Sequence, residues 1–261
     1  MGSSMPCQAW TPRLPESPWQ NVPVMIRPTT RYRAVLFDLD GTLVDPRTAI
    51  SGGIAAALTA HGLPVPVGEA LDAMIGPPLA ASLRGVPGMT EELLPSVVDH
   101  YRSGYRSKGM AASVVYPGIV DLLDALGDAG VLRAVATSKP EPIARELLQI
   151  QGLTGYFEAI CGANPDESAP HEGKAAIVSA ALSALQASIP TGGVLDAAMV
   201  GDRFFDVDGG RANGVPCVGV SWGYARDGEL EAAGAVAVVH DADDLRRVLD
   251  ELTTDETKEA H

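Results

Sequence analysis

From Ile119 onward the chain alternates short apolar runs with amphipathic stretches, and this alternation limits the fold more than any other feature. A helix is expected over Ile119 to Ala129, a strand over Val131 to Ala136, a helix over Glu141 to Gln151, a strand over Phe157 to Cys161 and a helix over Lys174 to Leu185. The series continues with a strand over Ala197 to Val200, a helix over Asp206 to Asn213, strands over Cys217 to Val220 and Val236 to Val239, and a helix over Asp243 to Leu252. Strands separated by helices make a parallel sheet covered on both faces, with functional residues at the carboxyl ends of the strands. An earlier run, Ala34-Val35-Leu36-Phe37, is apolar at every position, the pattern of a buried central strand. The expected fold class is α/β.

Between Pro46 and Ser113 the pattern is helical only, over Thr48 to Ala60, Val67 to Ile75 and Glu91 to Lys108, with breakers at Gly62-Leu63-Pro64 and Gly76-Pro77-Pro78. This block is expected to be an inserted cap (46–113) on a core built from 31–45 and 114–252. Residues 1–30 carry Pro6, Pro12, Pro15, Pro18, Pro23 and Pro28 without any period, and are expected to form a disordered tail. Met5 and Met25 remain alternative starts, and 253–261 is expected to be a flexible C-terminus. With 261 residues, 46% of them apolar, the chain can bury one substantial core and a smaller second one.

Nineteen basic residues against thirty-three acidic ones give a net charge of −14, which repels nucleic acid and anionic lipid. No apolar run approaches the roughly 20 residues of a membrane span, and no signal core follows the N-terminus, so a soluble cytoplasmic protein is expected. Cys7, Cys161 and Cys217 lack paired spacing and read as idle thiols. The five histidines show no ligand spacing. The oligomeric state is not legible.

Two strands end on acids. Leu36-Phe37 runs into Asp38 and Asp40, and Met199-Val200 runs through Gly201 into Asp202, with Asp206 following. Aspartates most often cap helices or open turns, and Asp45 and Asp208 fit that use. Four acids at strand ends on one sheet edge repel each other, so a cation must offset them. Oxygen ligands without histidine or thiolate suit a hard ion such as Mg²⁺. Lys174, at the start of its helix, offers a positive charge for a substrate anion, and Thr137, ending the strand Val135-Ala136, offers a neutral donor.

Asp38-Leu39-Asp40-Gly41-Thr42-Leu43-Val44-Asp45 resembles the first signature of the haloacid dehalogenase superfamily. Val135-Ala136-Thr137-Ser138-Lys139-Pro140 resembles its second, Lys174 fits its third, and Gly201-Asp202-Arg203-Phe204-Phe205-Asp206 resembles its fourth, in the right order. The helical block between the first two signatures is similar to the phosphoglycolate phosphatase-like branch, as are Tyr116-Pro117-Gly118 and Ser221-Trp222-Gly223-Tyr224. The resemblance implies a Rossmann-like core with a small helical cap, and a magnesium-dependent phosphatase acting on a small phosphorylated metabolite: phosphoglycolate, a nucleotide or pyrophosphate. It implies Asp38 as a nucleophile forming an aspartyl-phosphate and Asp40 as general acid and base. Mg²⁺ would be held by Asp38, Asp202 and the Asp40 carbonyl, with Asp206 fixing a metal-bound water or Lys174. Thr137, Lys174 and the amides of Leu39 and Ser138 would receive phosphoryl oxygens.

Several alternatives stand at this point. Lys139 competes with Lys174 as the neutralising charge. The loop Ile75-Gly76-Pro77-Pro78-Leu79 is the candidate contact with the organic part of the substrate, but Ala80 and Ala81 stand where relatives often carry an arginine, which counts against phosphoglycolate. Arg84, Tyr101, Arg102 and Tyr105 are candidate compensators or plain packing side chains. A β-phosphoglucomutase-like phosphomutase and a non-catalytic binder of a phosphorylated ligand are the alternative functions.

Overall fold

The computed structural model describes residues 34–164, 173–189 and 195–253. The first half runs β1 (Ala34–Phe37), β2 (Val44–Asp45), α1 (Arg47–Ala60), α2 (Glu69–Asp72), α3 (Leu79–Arg84), α4 (Leu94–Gly104), α5 (Met110–Ala112), β3 (Val114–Val115) and α6 (Ile119–Asp128). The second runs β4 (Leu132–Pro140), α7 (Glu141–Ile150), β5 (Ala159–Ala163), α8 (Gly173–Gln186), β6 (Ala197–Gly201), α9 (Phe204–Ala212), β7 (Cys217–Val220), α10 (Glu229–Ala233), β8 (Ala237–Val239) and α11 (Ala242–Thr253).

Six strands form one sheet in the order β5-β4-β1-β6-β7-β8, with every pairing parallel. This is the expected α/β fold with a Rossmann-like core. All four residues of β1 are buried, and alternate side chains serve opposite faces. Val35 and Phe37 pack with Val135 and Val200 on one side, while Ala34 and Leu36 pack with Met199, Cys217 and Val178 on the other. Because Phe37 pairs with both Val135 and Val200, the carboxyl ends of β1, β4 and β6 lie side by side. Asp38, Thr137 and Asp202 follow within one or two residues.

The helices α1 to α5 lie between β2 and β3, which pair antiparallel with Val44 opposite Val115 and Asp45 opposite Val114. This two-strand ribbon is too short to leave a period in the sequence. The helix expected over Val67 to Ile75 shrinks to α2, none of whose four residues is buried, and turns carry the chain on to the buried Met74 and Ile75. The helix expected over Glu91 to Lys108 starts late, at Leu94 with Pro95 in its first turn, and passes into a π-helical turn over Tyr105–Gly109 that buries Tyr105. Strand β4 runs past the expected Ala136 to Pro140, and α10, at five residues, is too short to leave a helical period in the sequence. The tail expected over 1–30, the C-terminal segment beyond Thr253, Cys7, His171 and His261 lie outside the described residues. No described helix is long and apolar enough to cross a membrane.

Candidate active site at the sheet edge

Asp38 and Asp40 leave the end of β1 and are both buried. A tight loop follows, in which Leu43 N and Val44 N each donate to Leu39 O at 3.0 Å and Gly41 N donates to Val44 O at 2.8 Å. Gly41 takes a φ of +88°, and a Cβ there would stand 2.2 Å from Asp202 Oδ2. Only glycine combines that backbone with so close an approach.

Asp38, Asp202 and Asp206 each place a carboxylate oxygen within 4.8 Å of the others, and all three are buried. Asp202 Oδ2 accepts a hydrogen bond from Tyr224 N at 2.8 Å, whereas its Oδ1 is buried without a hydrogen-bond partner. Burial, together with Asp206 and Asp38, holds the Asp202 carboxyl well above the usual range, the Tyr224 amide offsetting this in part. Burial also raises Asp206, to about 6, against the opposing pull of Lys174. An orphaned buried carboxylate oxygen, crowded acids and a donor set made only of oxygen fit a hard divalent cation. Of the acids expected to hold the metal, Asp40 contributes no side-chain oxygen to this cluster.

Asp38 and Asp40 are held by different lysines. Lys174, the second residue of α8, places Nζ 2.7 Å from Asp38 Oδ1 and 2.6 Å from Asp206 Oδ1. Burial pulls its ammonium down, but Asp206 and Asp38 outweigh that and hold it above the ordinary lysine range. Lys139 instead sits 2.6 Å from Asp40 Oδ2, with its ammonium 4.6 Å from the ring centroid of Tyr105. Burial raises the Asp40 carboxyl, and Lys139 opposes the rise.

A cavity of about 360 Å³ opens over this edge. Its core wall includes Asp38, Asp40, Thr137, Ser138 and Lys139. The loop Ile75 to Leu79 forms its roof, as its rigid turn sequence suggests, with Ala80, Ala81, Arg84, Tyr101, Arg102 and Tyr105 also lining it. Lys174, Asp202 and Asp206 are not among the lining residues and connect to the cavity through Asp38. Thr137 Oγ1 accepts a hydrogen bond from Lys139 N at 3.2 Å. Leu39 turns its side chain into the core. Arg84 pairs with Glu91 through bonds of 2.8 and 3.1 Å, and Tyr101 stacks on Tyr105 with centroids 5.7 Å apart.

Asp45 accepts a hydrogen bond from Tyr224 OH at 2.7 Å, and Asp208 pairs with Arg211 at the surface. Burial raises the Cys217 thiol, in keeping with an inert cysteine. Arg203 and Glu229, an ion pair of 2.8 Å beside the acids, had no signal in the sequence beyond the position of Arg203 inside the fourth signature.

The family model of haloacid dehalogenase-like hydrolases matches residues 35–220, which contain Asp38, Asp40, Lys139, Lys174, Asp202 and Asp206. The chain belongs to that family. Among relatives of this haloacid dehalogenase-like hydrolase, the tyrosine-protein kinase PtkA of Mycobacterium tuberculosis is 40% identical over 217 residues, 82% of this chain and 72% of that protein. A 5′-nucleotidase of Pseudomonas aeruginosa is 36% identical over 84% of this chain and 96% of its own length. A phosphoglycolate phosphatase of Caulobacter vibrioides is 33% identical over 79% and 86%. The solved structure of a predicted phosphatase from Clostridium acetobutylicum superimposes with a TM-score of 0.76 at 35% identity, covering 85% of this chain and all of that one. The chain is a haloacid dehalogenase-like phosphatase.

Proposed function

We propose that the protein is a Mg²⁺-dependent phosphatase that hydrolyses a small phosphorylated metabolite through an aspartyl-phosphate on Asp38. The observation that carries this reading is the pairing of roles at one strand end: Asp38 and Asp40 both face the cavity, and Asp38 alone of the two belongs to the buried acid cluster. A carboxylate oxygen of Asp38 forms a bond to phosphorus as the bond from phosphorus to the leaving oxygen breaks, and Asp40 gives that oxygen its proton. Water then attacks phosphorus, Asp40 takes back a proton, and phosphate leaves as the Asp38 carboxylate is restored. Lys174 holds Asp38 in place and neutralises the incoming phosphate. Thr137 Oγ1 and the amides of Leu39 and Ser138 receive the equatorial oxygens. Asp38, Asp202, Asp206 and the Asp40 carbonyl would hold Mg²⁺, which when bound offsets negative charge on the transferring group.

The helices between β2 and β3 serve as the cap that excludes water from the transfer. The cavity roof is apolar along Ile75, Pro77, Pro78 and Leu79, and its volume lies near the low end of sites for drug-sized ligands, about 300–1,000 Å³. Phosphoglycolate would leave much of it unfilled and would find alanines at 80 and 81. These features, with the 5′-nucleotidase relative, favour a nucleoside 5′-monophosphate. Phosphate release from a panel of nucleoside monophosphates, sugar phosphates and phosphoglycolate, with Mg²⁺ and with chelator, tests the reading. Its failure across the panel with Mg²⁺ present would overturn it.

The relative named a tyrosine-protein kinase favours one second reading, in which a phenolic hydroxyl replaces water as acceptor from phosphorylated Asp38. Incubation with γ-labelled ATP and a tyrosine-containing protein separates the two: label in tyrosine supports transfer, label in free phosphate supports hydrolysis. A sugar phosphate that isomerises instead of losing phosphate would point to the phosphomutase reading.

A further inference from the structure

Arg203 stands between Asp202 and Asp206, is buried, and is not part of the cavity wall. Its Nη1 donates a hydrogen bond to the carbonyl of Ile75 at 2.8 Å, crossing 128 positions from the sheet edge to the helical insertion. Ile75 is the first residue of the cavity roof. The next residue, Gly76, has a φ of +99°, and a Cβ there would lie 3.3 Å from both Cγ and Nη1 of Arg203. The loop therefore rests against the guanidinium as well as bonding to it.

The guanidinium is aimed from behind. Its Nε donates to Glu229 Oε1 at 2.8 Å, and the same oxygen accepts from Phe204 N at 3.1 Å, while Oε2 accepts from Arg226 N at 3.3 Å. The Arg203 main chain is fixed too: its N donates to Asp206 Oδ2 at 3.0 Å, and its carbonyl accepts from Asp206 N at 3.0 Å. One residue thus joins the acid cluster through its backbone to the roof through its side chain. A buried guanidinium needs such fixed acceptors, because an unpaired buried charge is strongly unfavourable.

We propose that Arg203 is a positioning residue that clasps the Ile75 carbonyl and holds the loop Ile75 to Leu79 over Asp38 and Asp40, so that the acid loop and the roof keep one relative placement. Removing the clasp leaves a buried carbonyl without its donor and frees the loop to open. The effect belongs in substrate retention more than in the chemical step.

The test uses the full chain, with hydrogen exchange over residues 74–81 and steady-state kinetics on a nucleoside 5′-monophosphate. Arg203→Gln is expected to speed exchange in the roof tenfold or more while β1 stays protected, and to raise KM at least tenfold with a smaller fall in kcat. Gly76→Val, which crowds the guanidinium from the insertion side and strains a backbone held at φ +99°, is expected to produce the same two changes without touching the acid loop. Arg203→Lys, which keeps a donor but loses the fork, is expected to restore part of the protection. Unchanged roof exchange in Gly76→Val and in whichever Arg203 variant folds, or a kcat loss with unchanged KM, would overturn the proposal. The kinetic arm rests on the phosphatase reading and the exchange arm does not. Faster roof exchange in a protein that releases no phosphate would sink that reading and leave the clasp standing.

Discussion

Lys139 Nζ lies 2.6 Å from Asp40 Oδ2, while Lys174 binds Asp38 and Asp206 at 2.7 and 2.6 Å. The two acids at the end of β1 are therefore held by separate cations, although only one residue separates them in the chain. Asp38 sits on the side of Asp202 and Asp206 and Asp40 on the side of the insertion, where Tyr105 packs on Lys139. This division suits two acids with different tasks.

Replacing Asp38 with asparagine removes the proposed nucleophile and keeps its size. Turnover should fall by about three orders of magnitude or more, equivalent to roughly 4 kcal/mol of transition-state stabilisation. Rapid acid quenching with labelled substrate should trap a hydroxylamine-sensitive phosphoprotein in the wild type and none in Asp38→Asn.

Asp40→Asn should discriminate between leaving groups. An alkyl phosphate, whose alkoxide needs a proton, should slow by about 10²–10⁴-fold. p-Nitrophenyl phosphate, with its better leaving group, should lose much less in the first step, as read by the burst of nitrophenol. Equal losses on both would contradict the assignment of Asp40 as general acid.

Lys174→Met and Lys139→Met should differ in kind. The first leaves Asp38 and Asp206 without their shared ammonium, and breaking such a buried pair typically costs about 3–5 kcal/mol. Its melting temperature should drop in chelator and recover in part with Mg²⁺. The second should act mainly through Asp40, with a smaller loss of turnover and little response of stability to the metal. Melting curves with and without Mg²⁺, beside turnover, check both.

The acid cluster predicts how Mg²⁺ stabilisation varies with pH. Burial lifts the Asp206 carboxyl from the ordinary carboxylate range to about 6, and Asp202 is raised as well. A carboxyl raised in the folded state favours folding while protonated; that contribution is full below the unfolded value and is lost as pH rises through the folded one. At about pH 7.5 the Asp206 carboxyl is ionised and a cation relieves it, whereas near pH 5 it is protonated and protons compete with the metal. The rise in melting temperature on adding Mg²⁺ should therefore be larger at about pH 7.5 than at about pH 5. An equal rise at both would place the metal elsewhere.

Gly41→Ala tests the close approach of the first loop to the cluster. The new methyl would meet Asp202 Oδ2 and the Tyr224 ring, on a backbone with φ of +88°. Overpacking and left-handed strain together should cost about 2–4 kcal/mol. The variant should also lose most of its response to Mg²⁺, because the displaced side chain is the Asp202 carboxylate.

The α/β architecture was legible because its signals are local. The continuous burial of Ala34 to Phe37 and the change of period between strands and helices from Ile119 onward both lie within short windows. Asp38, Asp40, Thr137 and Asp202 could be placed on one edge because parallel strands share the direction of their carboxyl ends. The extent of α2, the π-helical turn at Tyr105 and the ribbon of β2 with β3 were not legible, since they are set by what packs against them and not by any repeat.

The sequence by itself determined the parallel sheet, the strand-end acids and the order of four signatures, because strand periodicity and motif spacing act over neighbouring residues. Only the tertiary structure decided that Lys174 serves Asp38 and Lys139 serves Asp40, and that Arg203 reaches Ile75. Those partners stand 136, 99 and 128 positions apart. Which charge meets which partner at such separations depends on how β4, α8 and the helical insertion each pack against the end of β1 and β6, and that packing has no counterpart in any local pattern of the chain.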